Sequence, residues 1–103
     1  MSSTPEYLSY VLDLLTDVPE VTTRAMMGEY LLYAGGKLFG GVYDDRFLVK
    51  DVSAARSVLS AEAIPYEGAS PMLLVDLEVR EDVASLVEKM LPELSEPKQR
   101  RKR

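Results

Sequence analysis

Oxygen-bearing side chains hold what reactive chemistry this sequence offers. Asp44-Asp45, with Glu29 or Asp51 as a third carboxylate, supplies the hard ligands a divalent cation takes. Glu29, Glu67 and Tyr66 supply the paired carboxylates and phenol that acid-base work in a cleft would need. Spacing argues against both groupings, because the expected register sets Glu29 at the far end of its hairpin from Asp44-Asp45, which leaves the two aspartates a turn role. Gly36-Lys37 fails the phosphate-loop pattern, with Leu31 where the first glycine should stand and Leu38 where Ser or Thr should. Neither a Ser-x-x-Lys nor a Gly-x-Ser-x-Gly element occurs. The chain contains no His and no Cys. That removes the usual neutral-pH base, the commonest transition-metal ligands, disulfides and every His-dependent triad. No catalytic residue, metal or cofactor is expected.

Two surface features remain. Tyr30, Phe39 and Tyr43, with Arg46 and Lys50, fall on one expected sheet face and resemble a platform on which unpaired bases stack. The competing reading is a protein interface, a homodimer or partner surface, with Tyr30, Phe39, Tyr43 and Leu48 at its centre. Charge favours the interface. Residues 1–97 hold all seventeen acidic groups against seven basic ones, a net minus 10 that repels phosphate. The other five basic groups are Lys98, Arg100, Arg101, Lys102 and Arg103, which give the whole chain minus 5. Residues 96–103 are therefore read as a basic, disordered tail able to meet nucleic-acid phosphates electrostatically.

The elements that must position these groups follow from local pattern. Thr4 then Pro5 opens a helix as cap and first residue, and Tyr7, Leu8, Val11, Leu12, Leu14, Leu15 and Val18 continue it at helical spacing until Pro19 stops it near Asp17. A meander follows, with a short strand near residues 22–27. Gly35-Gly36 and Asp44-Asp45 are two-residue turns that place Ala34 opposite Lys37 and Tyr43 opposite Arg46. One face then carries Leu31, Tyr33, Leu38, Val42, Phe47 and Val49, and is the better core face. The other carries Tyr30, Leu32, Phe39, Tyr43 and Leu48, too apolar to lie bare against water. Gly40-Gly41 inside a strand signals a bulge, a bend or a close backbone approach. Asp51 or Ser53 is expected to cap a second helix running to about Ala63, before Pro65. Leu73, Val75, Leu77 and Val79 alternate as a half-buried strand, and a last helix spans about Glu81 to Leu91 with Val83, Leu86, Val87 and Met90 inward.

The predicted fold is α+β in two layers: an antiparallel sheet of a strand meander plus one later strand, with helices at the N-terminus, middle and C-terminus. At 103 residues, 47% hydrophobic and 28% charged, the chain makes one domain over residues 1–95. A chain of this mass buries about 65% of its surface on folding, enough for a core without staples. No apolar run reaches a bilayer's width, and the first residues lack a leader pattern, so a soluble, cytoplasmic protein without a membrane partner is expected.

The stretches Arg24-Ala25-Met26-Met27-Gly28-Glu29-Tyr30, Leu32-Tyr33, Gly36-Lys37-Leu38-Phe39-Gly40 and Asp44-Asp45-Arg46-Phe47-Leu48-Val49-Lys50 resemble the N-terminal domain of the TfoX/Sxy competence regulators. The resemblance spans about residues 5–95. Met27 and Glu29 stand where the family pattern has Phe and a second Gly, and the family's separate C-terminal domain is not expected here. The resemblance implies an α+β fold and a non-enzymatic bacterial role in transcriptional control of competence, exercised in the best-known members together with the cyclic-AMP receptor protein. Arg24 and Lys50, as polar family positions, are expected to bridge the sheet to carboxylates. The reading is a TfoX-like regulatory or protein-interaction domain; the alternative is a nucleic-acid-binding accessory protein acting through its tail.

Overall fold

The computed structural model describes residues 3–94, so the tail positions Lys98, Arg100, Arg101, Lys102 and Arg103 lie outside the described residues. Helix α1 (Pro5–Leu14) is followed by β1 (Val21–Met26), β2 (Glu29–Ala34), β3 (Lys37–Val42) and β4 (Phe47–Val49). Then come a single turn of helix, α2 (Ser53–Arg56), two short strands, β5 (Glu62–Ala63) and β6 (Met72–Leu74), and α3 (Arg80–Met90), which tightens into a 3₁₀ turn at Leu91–Glu93. All strand pairs are antiparallel in one six-stranded sheet of order β1-β2-β3-β4-β6-β5. Side chains of all three helices enter a single core against one sheet face. This is the α+β two-layer architecture expected from the pattern.

Local chemistry explains the ends. The Thr4 hydroxyl accepts the Tyr7 amide at 3.1 Å and Pro5 takes the first helical position. Three two-residue turns, Met27-Gly28, Gly35-Gly36 and Asp44-Asp45, have positive φ at both central positions, the handedness that matches strand twist. Ala34 faces Lys37, and Tyr43 exchanges backbone bonds with Arg46 at 2.9 and 3.0 Å, as the turn lengths require.

Between those anchors the register departs from the expected one. Leu32 pairs with Gly40 while Tyr33 pairs with Leu38, so Phe39 is the extra residue of a bulge. One added residue reverses the faces of everything before it. The core face therefore carries Tyr30, Leu32 and Phe39 beside Val42, Phe47 and Val49, whereas Leu31, Tyr33 and Leu38 join Tyr43 and Leu48 on the outer face. Phe39 has no exposed surface at all, which corrects its assignment to an interface. Gly40 and Gly41 answer to space: a Cβ on Gly40 would lie 2.2 Å from the Leu48 carbonyl oxygen, and one on Gly41 2.7 Å from that of Tyr30.

Three elements are shorter than the periodicity suggested, α1 among them, which ends at Leu14 rather than near Asp17. The second helix ends at Arg56 rather than Ala63, because Ser57 and Ser60 favour turns and Glu62–Ala63 gains more by pairing with β6. Ala55 and Leu59 still reach the core. The strand starting at Met72 leaves the ladder after Leu74, although Val75 and Leu77 continue the inward alternation. Among the described residues, no helix is long and apolar enough to cross a membrane.

Candidate functional site

Among the described residues no helix lies over the outer sheet face, yet Leu48 there is fully buried and Tyr43 nearly so. Leu48 lies in a cross-strand row with Leu31, Gly41 and Leu74. What covers the row is the irregular segment between β5 and β6. Its first residues are pinned by Arg46, whose guanidinium donates to the Tyr43 carbonyl at 3.1 Å and to the Ile64 carbonyl at 3.0 Å. Pro65 is buried, and the Tyr66 ring tilts against that of Tyr43 with centroids 6.1 Å apart. The Tyr43 ring lies directly over Gly41, close enough that a Cβ there would collide with it.

Beside this lid a cleft of about 500 Å³ stays open. Leu38, Tyr43 and Met72 belong to the sheet side, Pro65, Tyr66, Ala69, Ser70 and Pro71 to the covering segment, and Lys50, Asp51 and Val52 to the mouth. Burial pushes the Tyr43 phenol above its ordinary value, and Tyr66, Glu29 and Tyr33 push it the same way, so this hydroxyl is a neutral donor or acceptor at physiological pH. The two charges at the mouth are unequal. Asp51 takes two bonds from Arg56, at 2.8 and 2.9 Å, which holds its carboxyl below the usual range, and Arg56 also reaches Glu62. Lys50 makes no ion pair among the described residues, so its ammonium is the uncompensated charge of the cleft. An apolar aromatic wall with one free cation suits a ligand that is mostly apolar and carries an anionic group.

The other expected site residues scatter. Tyr30 is half-buried and packs against the core, Phe39 is inside it, and Tyr43 and Leu48 belong to the opposite face. Arg24 is exposed on β1 and, like Lys50, pairs with no carboxylate among the described residues, so the expected bridges are not found among them. Glu29, Glu67 and Tyr66 do not converge, since only Tyr66 lines the cleft. Glu29 instead sits beside Asp44-Asp45, contrary to the expected separation, because both lie at the open end of the β2–β3 hairpin. Its carboxylate accepts the Ser3 hydroxyl at 2.7 Å and the Asp44 amide at 3.1 Å. Asp45 accepts the Thr4 amide at 2.8 Å. These carboxylates fasten the N-terminal segment to the sheet, and no group of three His, Cys, Asp or Glu among the described residues is placed to hold a metal.

The path of the covering segment was missed, and with it the role of Arg46, which was expected as part of a basic platform and instead binds carbonyls of that segment. A lone guanidinium at the start of an apolar strand, next to a tight turn, is a residue whose five donors seek carbonyls. Nothing in the pattern of residues 64–71 shows which face they fold across.

No family model matches the sequence. The chain is similar to the "uncharacterized 12.7 kDa protein in trpE 5′ region" of Spirochaeta aurantia, with 32% identity over 83 residues, covering 79% of this chain and 72% of that protein. This chain belongs to the same family as that spirochaete protein.

Proposed function

We propose that this protein is a non-enzymatic, TfoX-like regulatory domain of bacterial transcriptional control that works in the cytoplasm by holding a protein partner in the outer-face cleft. The observation that carries the reading is the cleft itself: apolar and aromatic, on the face opposite the helices, with Lys50 at its edge and in no ion pair among the described residues. Such a cleft fits a partner segment with one or two apolar side chains for the space between Leu38, Tyr66 and Met72 and a carboxylate for Lys50. The similarity of residues 24–50 to TfoX/Sxy N-terminal domains supports the regulatory part of the reading.

A deletion strain complemented by the wild-type chain, Lys50→Glu or Tyr66→Ala tests both parts. Both side chains lie at the surface, so the fold should survive either change. Transcript profiles of the two variants should resemble the deletion, and a partner captured by the wild type should be lost from both. Variants that restore the wild-type profile and retain the partner would sink the proposal.

The tail supports a second reading, in which Lys98, Arg100, Arg101, Lys102 and Arg103 neutralise phosphates on a nucleic acid. It is tested by deleting residues 98–103.

A further inference from the structure

Strand β1 is exposed on both faces and along one edge. Thr22, Thr23, Arg24, Ala25 and Met26 are all exposed, so the hairpin's outer strand extends past the helical layer. Natural sheets guard such edges with Lys, Pro, bulges or very short strands. The opposite edge, β5, has two residues and an ion-paired Glu62; β1 has six residues, no Lys, Pro or bulge, and Arg24 as its single charge.

Its hydrogen-bonding pattern is settled by the turn that follows. Met26 and Glu29 close a two-residue loop as a hydrogen-bonded pair. Alternation then makes Met26, Arg24 and Thr22 bond to β2 and turns the N–H and C=O groups of Val21, Thr23 and Ala25 outward. The Gly35 amide, which donates to the Glu20 carbonyl at 3.1 Å, sits where this alternation requires. Among the described residues nothing pairs with the outward groups.

We propose that β1 pairs antiparallel with β1 of a second copy of this chain, about a twofold axis through Thr23, joining the two sheets into one. The outward groups select this register. Thr23 pairs with Thr23 of the second copy and Val21 with Ala25 of the second copy, and every outward N–H and C=O finds a partner. A shift of the axis to Arg24 would set like charges directly opposite and leave Val21 unpaired. Charge also points to this edge: residues 21–28 hold Arg24 and no carboxylate, within a body that is otherwise strongly acidic. The same register lays the turn at Met27, 96% exposed in one copy, alongside Pro19 of the second copy. The inference stands independently of the cleft, since β1 lines no part of it.

Sedimentation velocity of the full chain over rising concentration should show a reversible monomer–dimer exchange. Thr23→Pro removes one outward N–H and spares the ladder to β2, so it should leave monomer alone with an unchanged circular dichroism spectrum. A chain monomeric up to about millimolar concentration, or a dimer that survives this change, overturns the proposal and leaves the edge to a strand of another protein. Cysteine cross-linking gives a readout that needs no proline. In a chain without native cysteine, Thr23→Cys brings two Cα atoms to about 5.5 Å, within disulfide reach, whereas the copies of Thr22→Cys lie about 8 Å apart. Mild oxidation should link the first and not the second; equal linking, or none at Thr23→Cys, refutes the pairing.

Discussion

Gly40 and Gly41 are the residues on which the sheet turns. Neither has a positive φ; what each lacks is room, because backbone atoms of neighbouring strands lie 2.2 and 2.7 Å from an added Cβ, well inside van der Waals contact. Gly40→Ala would press on the Leu48 carbonyl and the Val49 Cα, both backbone atoms that cannot swing aside. The expected loss is about 3 kcal/mol, at the upper end for overpacking, read as a lower urea midpoint at unchanged slope. Stability within about 0.5 kcal/mol of wild type would show that β4 can retreat. Tyr43, over Gly41, adds a pH dependence. Its folded-state pKa lies above the ordinary phenol value of 10.0, because burial first, and then Tyr66, Glu29 and Tyr33, oppose the phenolate. A raised pKa stabilises the fold below pH 10 and loses that contribution as pH rises through the folded value. Tyr7 is shifted in the same direction by burial and Tyr10. Tyr43→Phe should therefore lose less stability than wild type between neutral pH and pH above about 10. Parallel losses in the two proteins would mean that Tyr43 ionises as freely folded as unfolded.

Elements show where pattern suffices and where it does not. The start of α1 is local: Thr4 offers its hydroxyl to the Tyr7 amide and Asp45 fastens Thr4 in turn. Thr4→Ala should cost about 1 kcal/mol, a fall in Tm of roughly 4–8 °C, and a thermal melt checks it. An unchanged Tm would assign the helix start to Pro5 and tertiary packing instead. The Thr4 cap, the Gly35-Gly36 and Asp44-Asp45 turns and the inward stripe of α3 were legible for the same reason, each being decided within four residues; the cap expected of Asp51 or Ser53 is not formed, because Val52 takes that position without a side-chain cap and the Asp51 carboxylate is held by Arg56. The glycine pair announced an irregularity in β3, but not that Phe39 would be the extra residue, and that choice reverses which face Tyr30, Leu32 and Phe39 enter. Turn geometry fixes only the ends of a strand pair; the interior register answers to which side chains the helices can cover. The cleft was half legible. Tyr43, Lys50 and Tyr66 were named from sequence, though not as one site, whereas the convergence of Pro65, Tyr66 and Met72 on it depends on a segment held by Arg46, a contact eighteen residues away in the chain. The short α2 was illegible for a related reason, since β5 exists only because β6 is there to pair with it.

At the scale of the whole molecule, charge decides how the chain meets other polymers. Residues 1–97 carry minus 10 and residues 98–103 plus 5. The body repels a polyanion over about a Debye length, roughly 10 Å at 0.1 M salt, and contact with phosphate falls to the tail. Each phosphate neutralised on duplex DNA contributes a slope of about −0.9 to log K against log salt, so five contacts bound the slope near −4.5. Anisotropy of a labelled duplex should show binding at about 50 mM salt, a slope no steeper than this bound, and loss of binding when residues 98–103 are deleted. A steeper slope would require Arg24 or Lys50 to join, which would bring the acidic body against the duplex. Binding that survives the deletion would move the contact onto the sheet, and no binding at that salt would leave the protein partner as the function of the fold. The same deletion removes no residue of β1 or of the cleft lining, so partner capture and self-association should persist in the truncated chain and separate the tail's role from theirs.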